Sequence, residues 1–133
     1  MHTPKMGHKR YNRSMNYNIK GTALAVTDEL RAYVERQLAH ADKLIHDSAA
    51  HADVELAFDE VRDGPKFRAE FTLEHHGALY RASAWGGTMH EAIDIAGGEL
   101  MSELRKAKSK RLHMFRRGAT RVKEYLRGWR NKI

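Results

Sequence analysis

Arginine and lysine crowd one end of this chain. The last 29 residues carry twelve of them against a single acid. Phe115, Tyr125 and Trp129 interleave with Arg116, Arg117, Arg121, Lys123, Arg127 and Arg130. Guanidinium and ammonium groups pair with phosphates, and exposed aromatic rings stack on unpaired bases. The first fourteen residues add four cations and no acid, whereas residues 15–104 hold eight basic and sixteen acidic residues. An acidic body with cationic ends is the footprint of a protein that meets a polyanion at one place. The plainer reading of such a run is a solvated tail without a partner.

Other chemistries find less support. Nine histidines invite a metal or acid–base reading, but no HExxH and no cysteine accompany them. His75 and His76 are neighbours, and on a strand they would face opposite ways. His40 and His46 lie six residues apart, about 600° round a helix and so on different faces. Asp59, Glu60 and Asp63 read as a solvated hairpin end rather than a carboxylate pair. There is no glycine-rich phosphate loop and no GxSxG. The sequence therefore predicts a binding protein rather than an enzyme, with no catalytic set, metal, cofactor or small-molecule substrate. No run of apolar residues is long enough for a membrane span, and no secretory signal opens the chain. The absence of cysteine suits a reducing, cytoplasmic setting.

The elements that must position the cations follow from periodicity. Asn16 to Thr22 alternates, with Tyr17 and Ile19 on one side, and predicts a strand. Thr27 followed by Asp28 and Glu29 is a helix start, a capping hydroxyl and then two acids where the helix dipole favours them. Leu30, Tyr33, Val34, Leu38, Ala41 and Ile45 continue as one apolar stripe. Val54, Leu56 and Phe58 alternate as a second strand, and Asp63, Gly64 and Pro65 turn the chain. Phe67, Ala69, Phe71 and Leu73 mark a third strand, and His75, His76 and Gly77 turn again. In the fourth strand Tyr80, Ala82 and Ala84 point one way, and Leu79, Arg81, Ser83 and Trp85 the other. Thr88 and Glu91 have capping-box spacing. Ile93, Ala96, Leu100, Leu104 and Ala107 carry a second helix on. Gly97 and Gly98 weaken it by about 1 kcal/mol each relative to alanine, which close packing on the sheet would explain. The prediction is an α+β domain of order β-α-β-β-β-α, a four-stranded sheet with two helices on one face. Residues 15–112 form it. Residues 1–14 read as a disordered basic arm or a vector-derived remnant. Residues 113–133 read as a basic tail with the makings of a short helix, its apolar stripe being Val122, Tyr125, Leu126 and Trp129.

Arg105, Lys106, Lys108, Lys110 and Arg111 continue the second helix past its apolar stripe. Positions 105, 108 and 111 share one face and 106 and 110 another, so positive charge wraps the helix end. The helix dipole also favours cations there, and two would suffice for that role. A double-stranded RNA module is a poor match, because its lysines lie at the start of its final helix, where this chain has Thr88, Met89, His90 and Glu91.

Several stretches resemble one family. They are Asn18-Ile19-Lys20-Gly21, Val26-Thr27-Asp28-Glu29-Leu30-Arg31-Ala32-Tyr33-Val34, Ala82-Ser83-Ala84, Met89-His90-Glu91-Ala92-Ile93-Asp94 and Glu103-Leu104-Arg105-Lys106-Ala107-Lys108-Ser109-Lys110. They stand in the order seen in bacterial ribosome hibernation-promoting factors. The resemblance spans about residues 15–112 and implies the same fold. It implies a factor that occupies the decoding region of the small ribosomal subunit in stationary phase or stress, blocks mRNA and tRNA, and inhibits translation. The alternative is a general binder of structured RNA. Arg116-Arg117-Gly118-Ala119-Thr120-Arg121-Val122-Lys123 looks like the tail of the ribosome-associated translation inhibitor branch, whose end is usually acidic; here it stays basic. The resemblance is to short-form members, without the extra domain that dimerises ribosomes, and it implies a free monomer. The expected rRNA contacts are Lys20 and Arg31 in the matching stretches, Arg81 on the fourth strand, then Arg105, Lys106, Lys108, Lys110, Arg111, Arg116 and Arg117. Departures are Thr88-Met89-His90 where relatives usually have Asp-Met-Tyr, Glu99 and Ser102 where a Lys and an Arg are usual, and His40 where a Lys is common. They imply a binding surface shifted toward Arg105 and beyond.

Overall fold

The computed structural model describes the backbone of residues 15–132 and the side chains of residues 15–111. The expected arm at residues 1–14 lies outside the described residues. The elements are β1 (Asn16–Thr22), α1 (Asp28–Ile45), β2 (His51–Phe58), β3 (Phe67–His75), β4 (Ala78–Gly86) and α2 (Met89–Lys132). The sheet order is β1-β2-β3-β4. β1 and β2 run parallel, as the helix between them permits, because a parallel pair needs a long crossover. The short links make β2, β3 and β4 antiparallel.

Register explains why one face is apolar. Ile19, Val54, Phe71 and Ala82 stand in a row across the four strands. Tyr17, Ala52, Leu73 and Tyr80 form the next row on the same face. Over them lie Leu30, Val34, Leu38 and Ala41 from α1, and Ile93, Ala96, Leu100 and Leu104 from α2, all in one buried cluster. Both helices cover the same sheet face, as the stripes predict. Thr27 Oγ1 accepts from Leu30 N–H at 3.2 Å. Thr88 Oγ1 accepts from Glu91 N–H at 3.1 Å, while Glu91 reaches back to the N–H of Gly87 at 2.7 Å, one residue before the cap.

The helices lie side by side and point the same way. His90 Nε2 is 3.2 Å from Glu29, Tyr33 donates to Asp94 at 2.7 Å, and Lys108 Nζ donates to the carbonyl of Leu44 at 3.4 Å. Gly97 is explained by this contact rather than by the sheet. A Cβ on Gly97 would stand 2.4 Å from Gln37 Oε1 of α1, while one on Gly98 would meet nothing within 4 Å. The close approach is thus helix to helix, and one glycine serves it. The backbone of α2 does not stop at residue 112 but runs on through the tail to Lys132, 44 residues in all and so about 66 Å at 1.5 Å per residue.

Candidate nucleic-acid interface

Among the described residues the burial stripe of α2 ends at Leu104, which is 2 % exposed. From there Arg105, Lys106, Lys108, Lys110 and Arg111 are all exposed. Successive residues turn by 100°, so these five side chains point all round the helix. Lys106 lies 3.8 Å from Glu103, a solvated pair of little energetic weight. Lys108 caps the last turn of α1 through Leu44, where carbonyls lack helical partners. Among the described residues Arg105, Lys110 and Arg111 meet no carboxylate. Their charge is therefore available to an outside anion. The side chains of Arg116 and Arg117 lie outside the described residues.

The remaining predicted contacts sit elsewhere. Lys20 and Arg81 project from the sheet face that carries no helix, on its two edge strands. Lys20 stands beside Glu55 in the register. Arg81 Nε is 3.7 Å from Glu70, and Arg68 bridges Glu55 and Glu70 at 3.2 and 3.1 Å. Thr22 donates to Glu55 at 2.6 Å. That hydrogen bond, followed by the charge of Arg68, holds the Glu55 carboxyl below the usual glutamate range. A shallow depression of about 410 Å³ on this face has Lys20 at its wall, but Asp53, Glu55 and Glu70 line it too. Such a surface neutralises its own cations. Beside it, Arg62 stacks over the Trp85 ring at 3.8 Å, which occupies the one indole of the sheet that a base would otherwise meet.

Arg31 belongs to α1 and is half-buried at the β1 edge. The Tyr17 hydroxyl there donates to Glu35. Burial, then that hydrogen bond, pushes the Tyr17 hydroxyl far above its ordinary value, and Arg31 opposes the shift. The structure thus splits the predicted set. Residues 105–111 form one continuous cationic segment, Lys20 and Arg81 lie across the sheet from the helical layer, and Arg31 sits near the start of α1. One cation escaped the sequence reading. Lys43, in the last turn of α1, is exposed and adjoins Leu44, to which Lys108 reaches. In sequence it lies within the acidic body, residues 15–104. Its placement in a last turn, where cations are favoured, was the usable signal.

The sequence and fold can be set against known proteins. Residues 17–112 match the profile described as Sigma 54 modulation protein / S30EA ribosomal protein. A "Ribosome hibernation promotion factor" of Picosynechococcus sp. is 32% identical over 97 residues, covering 72% of this chain and 50% of that protein. The chain therefore spans about half the length of that relative. A "Ribosome hibernation promoting factor" of Azotobacter vinelandii is 32% identical over 98 residues, covering 74% of this chain and 87% of that one. The N-terminal domain of Thermus thermophilus Protein Y superposes with a TM-score of 0.59 at 29% identity, over 70% of this chain and 97% of that domain.

Proposed function

Since the chain belongs to the Sigma 54 modulation protein / S30EA ribosomal protein family, we propose that it binds the small ribosomal subunit through rRNA phosphates and silences translation. It does so by occupying the decoding region, where mRNA and tRNA would otherwise sit. The reading rests on one observation above all: the exposed cations at residues 105–111, which start where the apolar stripe of α2 ends. Named relatives that are hibernation factors support the choice of the ribosome as the polyanion. Arg116 and Arg117 extend the same segment in sequence. Lys20, Arg31 and Arg81 make a secondary contribution at most.

The mechanism is exclusion. A cationic helix seated in an RNA groove neutralises the phosphates and fills the volume that an anticodon stem would need. No bond is made or broken, and the protein acts as a cytoplasmic monomer, one per ribosome. Affinity then follows counterion release. With roughly six phosphates neutralised, log K falls with log salt at a slope of about −4 to −5. Sedimentation of the protein with 30S and 50S subunits across a salt series measures this. Salt-sensitive binding to 30S alone is expected. Affinity that ignores salt, or equal binding to an unrelated structured RNA, would overturn the proposal.

A further inference from the structure

Asp47 comes together with His75 and His76 although 28 positions separate it from the first of them. Neighbours on a strand face opposite ways, and that rule argues against a joint role for His75 and His76. The turn suspends the rule. His75 is the last residue of β3, and His76 with Gly77 makes the two-residue link to β4, with φ of +53° and +78°. Positive φ at both central positions is the signature of a type I′ hairpin turn. The chain leaves the strand at His76, and its ring returns to within 4.1 Å of the His75 ring, centroid to centroid. From the other side comes Asp47, two residues beyond the end of α1. Its Oδ2 lies 2.8 Å from His75 Nδ1, and its Oδ1 accepts the N–H of Ala49 at 3.0 Å. One ligand atom from each of the three residues lies within 4.8 Å of the other two.

We propose that Asp47, His75 and His76 form a binding site for a divalent ion of the zinc class, held between the α1–β2 loop and the β3–β4 turn. Two imidazoles and a carboxylate suit Zn²⁺, with nickel and copper as chemical neighbours. A tetrahedral ion with bonds of about 2.0–2.1 Å sets its ligand atoms roughly 3.4 Å apart. His75 and Asp47 open slightly to reach that spacing, and His76 swings in. The burial order fits these movements, because His75 is 3 % exposed and fixed while His76 is exposed and free to rotate. Three protein ligands leave a fourth position to water on the exposed side. Both imidazoles must be neutral to hold the ion, His75 carrying its ring hydrogen on the nitrogen that does not ligate, so binding weakens in acid. It ties together two loops at the end of the sheet where α1 stops.

The test uses the full chain, freed of metal with a chelator, and ZnCl₂ alone as probe. Titration calorimetry and thermal melts are run on the parent and on His76→Asn. Asparagine before glycine is favoured in a type I′ turn, so this variant keeps the fold while removing the imidazole. His40→Ala, an exposed histidine of α1, serves as control. Saturable binding of one Zn²⁺ is expected in the parent, with the melting temperature raised by about 5 °C or more at a hundredfold excess over Kd. His76→Asn should weaken binding on the order of tenfold or more, and His40→Ala should leave it unchanged. Cobalt in place of zinc should give the visible absorption of a tetrahedral site in the parent and lose it in His76→Asn. No saturable binding by the parent, or equal affinity in the parent and His76→Asn, would overturn the site and leave a plain hydrogen bond between His75 and Asp47.

Discussion

On the open face of the sheet, Arg68 and Arg81 lie against Glu70, and Lys20 stands beside Glu55. Along α2 beyond Leu104, Arg105, Lys110 and Arg111 meet no acid among the described residues. Both regions are rich in cations, yet only one of them presents its charge outward. A count of arginines and lysines does not separate them. What separates them is local geometry. Strand register places Glu55 opposite Lys20 and sets Glu55 and Glu70 on diagonals to Arg68 and Arg81, whereas along α2 past Leu104 no acid among the described residues stands against Arg105, Lys110 or Arg111. Uncompensated charge, rather than charge, marks the proposed interface.

The strongest way to break this contrast is to strip the cationic segment of α2. Replacing Arg105, Lys106, Lys108 and Lys110 together by alanine should weaken 30S binding on the order of 10²–10³-fold at 0.15 M salt, and make the salt slope shallower by about 3. The melting temperature should stay within about 2 °C, because these side chains lie outside the core. Unchanged affinity in the folded variant would remove this segment from the interface. The complementary change unmasks the sheet. Glu55→Gln with Glu70→Gln frees Arg68 and Arg81, and should strengthen weak binding to arbitrary RNA roughly 3–10-fold in a filter assay at low salt. No gain would mean that the glutamates do not mask those cations. Smaller still is the effect of Lys20→Ala with Arg81→Ala, expected below about threefold on 30S affinity. A loss near that of the helix variant would place the sheet face in the interface.

Much of the fold was legible because the sheet has one covered face. Alternation in Val54 to Phe58 and Phe67 to Leu73 reports that asymmetry directly, and Thr27 and Thr88 mark the helix starts they cap. The end of the α2 stripe was legible to within one step, since the 3–4 apolar spacing runs to Ala107 and burial among the described residues ends at Leu104. Relations between distant residues were not. The pairing of Arg68 with Glu55 depends on the register of two strands, thirteen positions apart in the chain. The approach of Asp47 to His75 spans 28 positions, and the approach of His76 depends on a left-handed turn that a strand pattern does not encode. Gly97 reads as a helix defect until Gln37 of the neighbouring helix is seen against it.

The smallest effect is a pH dependence. The hydrogen bond from Thr22, ahead of any other cause, holds the Glu55 carboxyl below the usual glutamate range. A lowered folded-state value means that the ionised form stabilises the fold. That contribution is complete above the unfolded value and fades as pH falls through the folded one. Thr22→Ala should therefore narrow the stability difference between pH 6 and pH 3 by less than about 1 kcal/mol in urea titrations. A difference that is unaltered would show that the Thr22 hydroxyl does not hold Glu55 ionised.

The most direct test of silencing by occupancy is a titration of cell-free translation with the purified protein. Inhibition should saturate near one protein per ribosome, yield to excess initiation factors and initiator tRNA, and vanish after a high-salt wash with the rRNA intact. Inhibition that persists after washing, or cleaved rRNA, would contradict exclusion and point to a catalytic action.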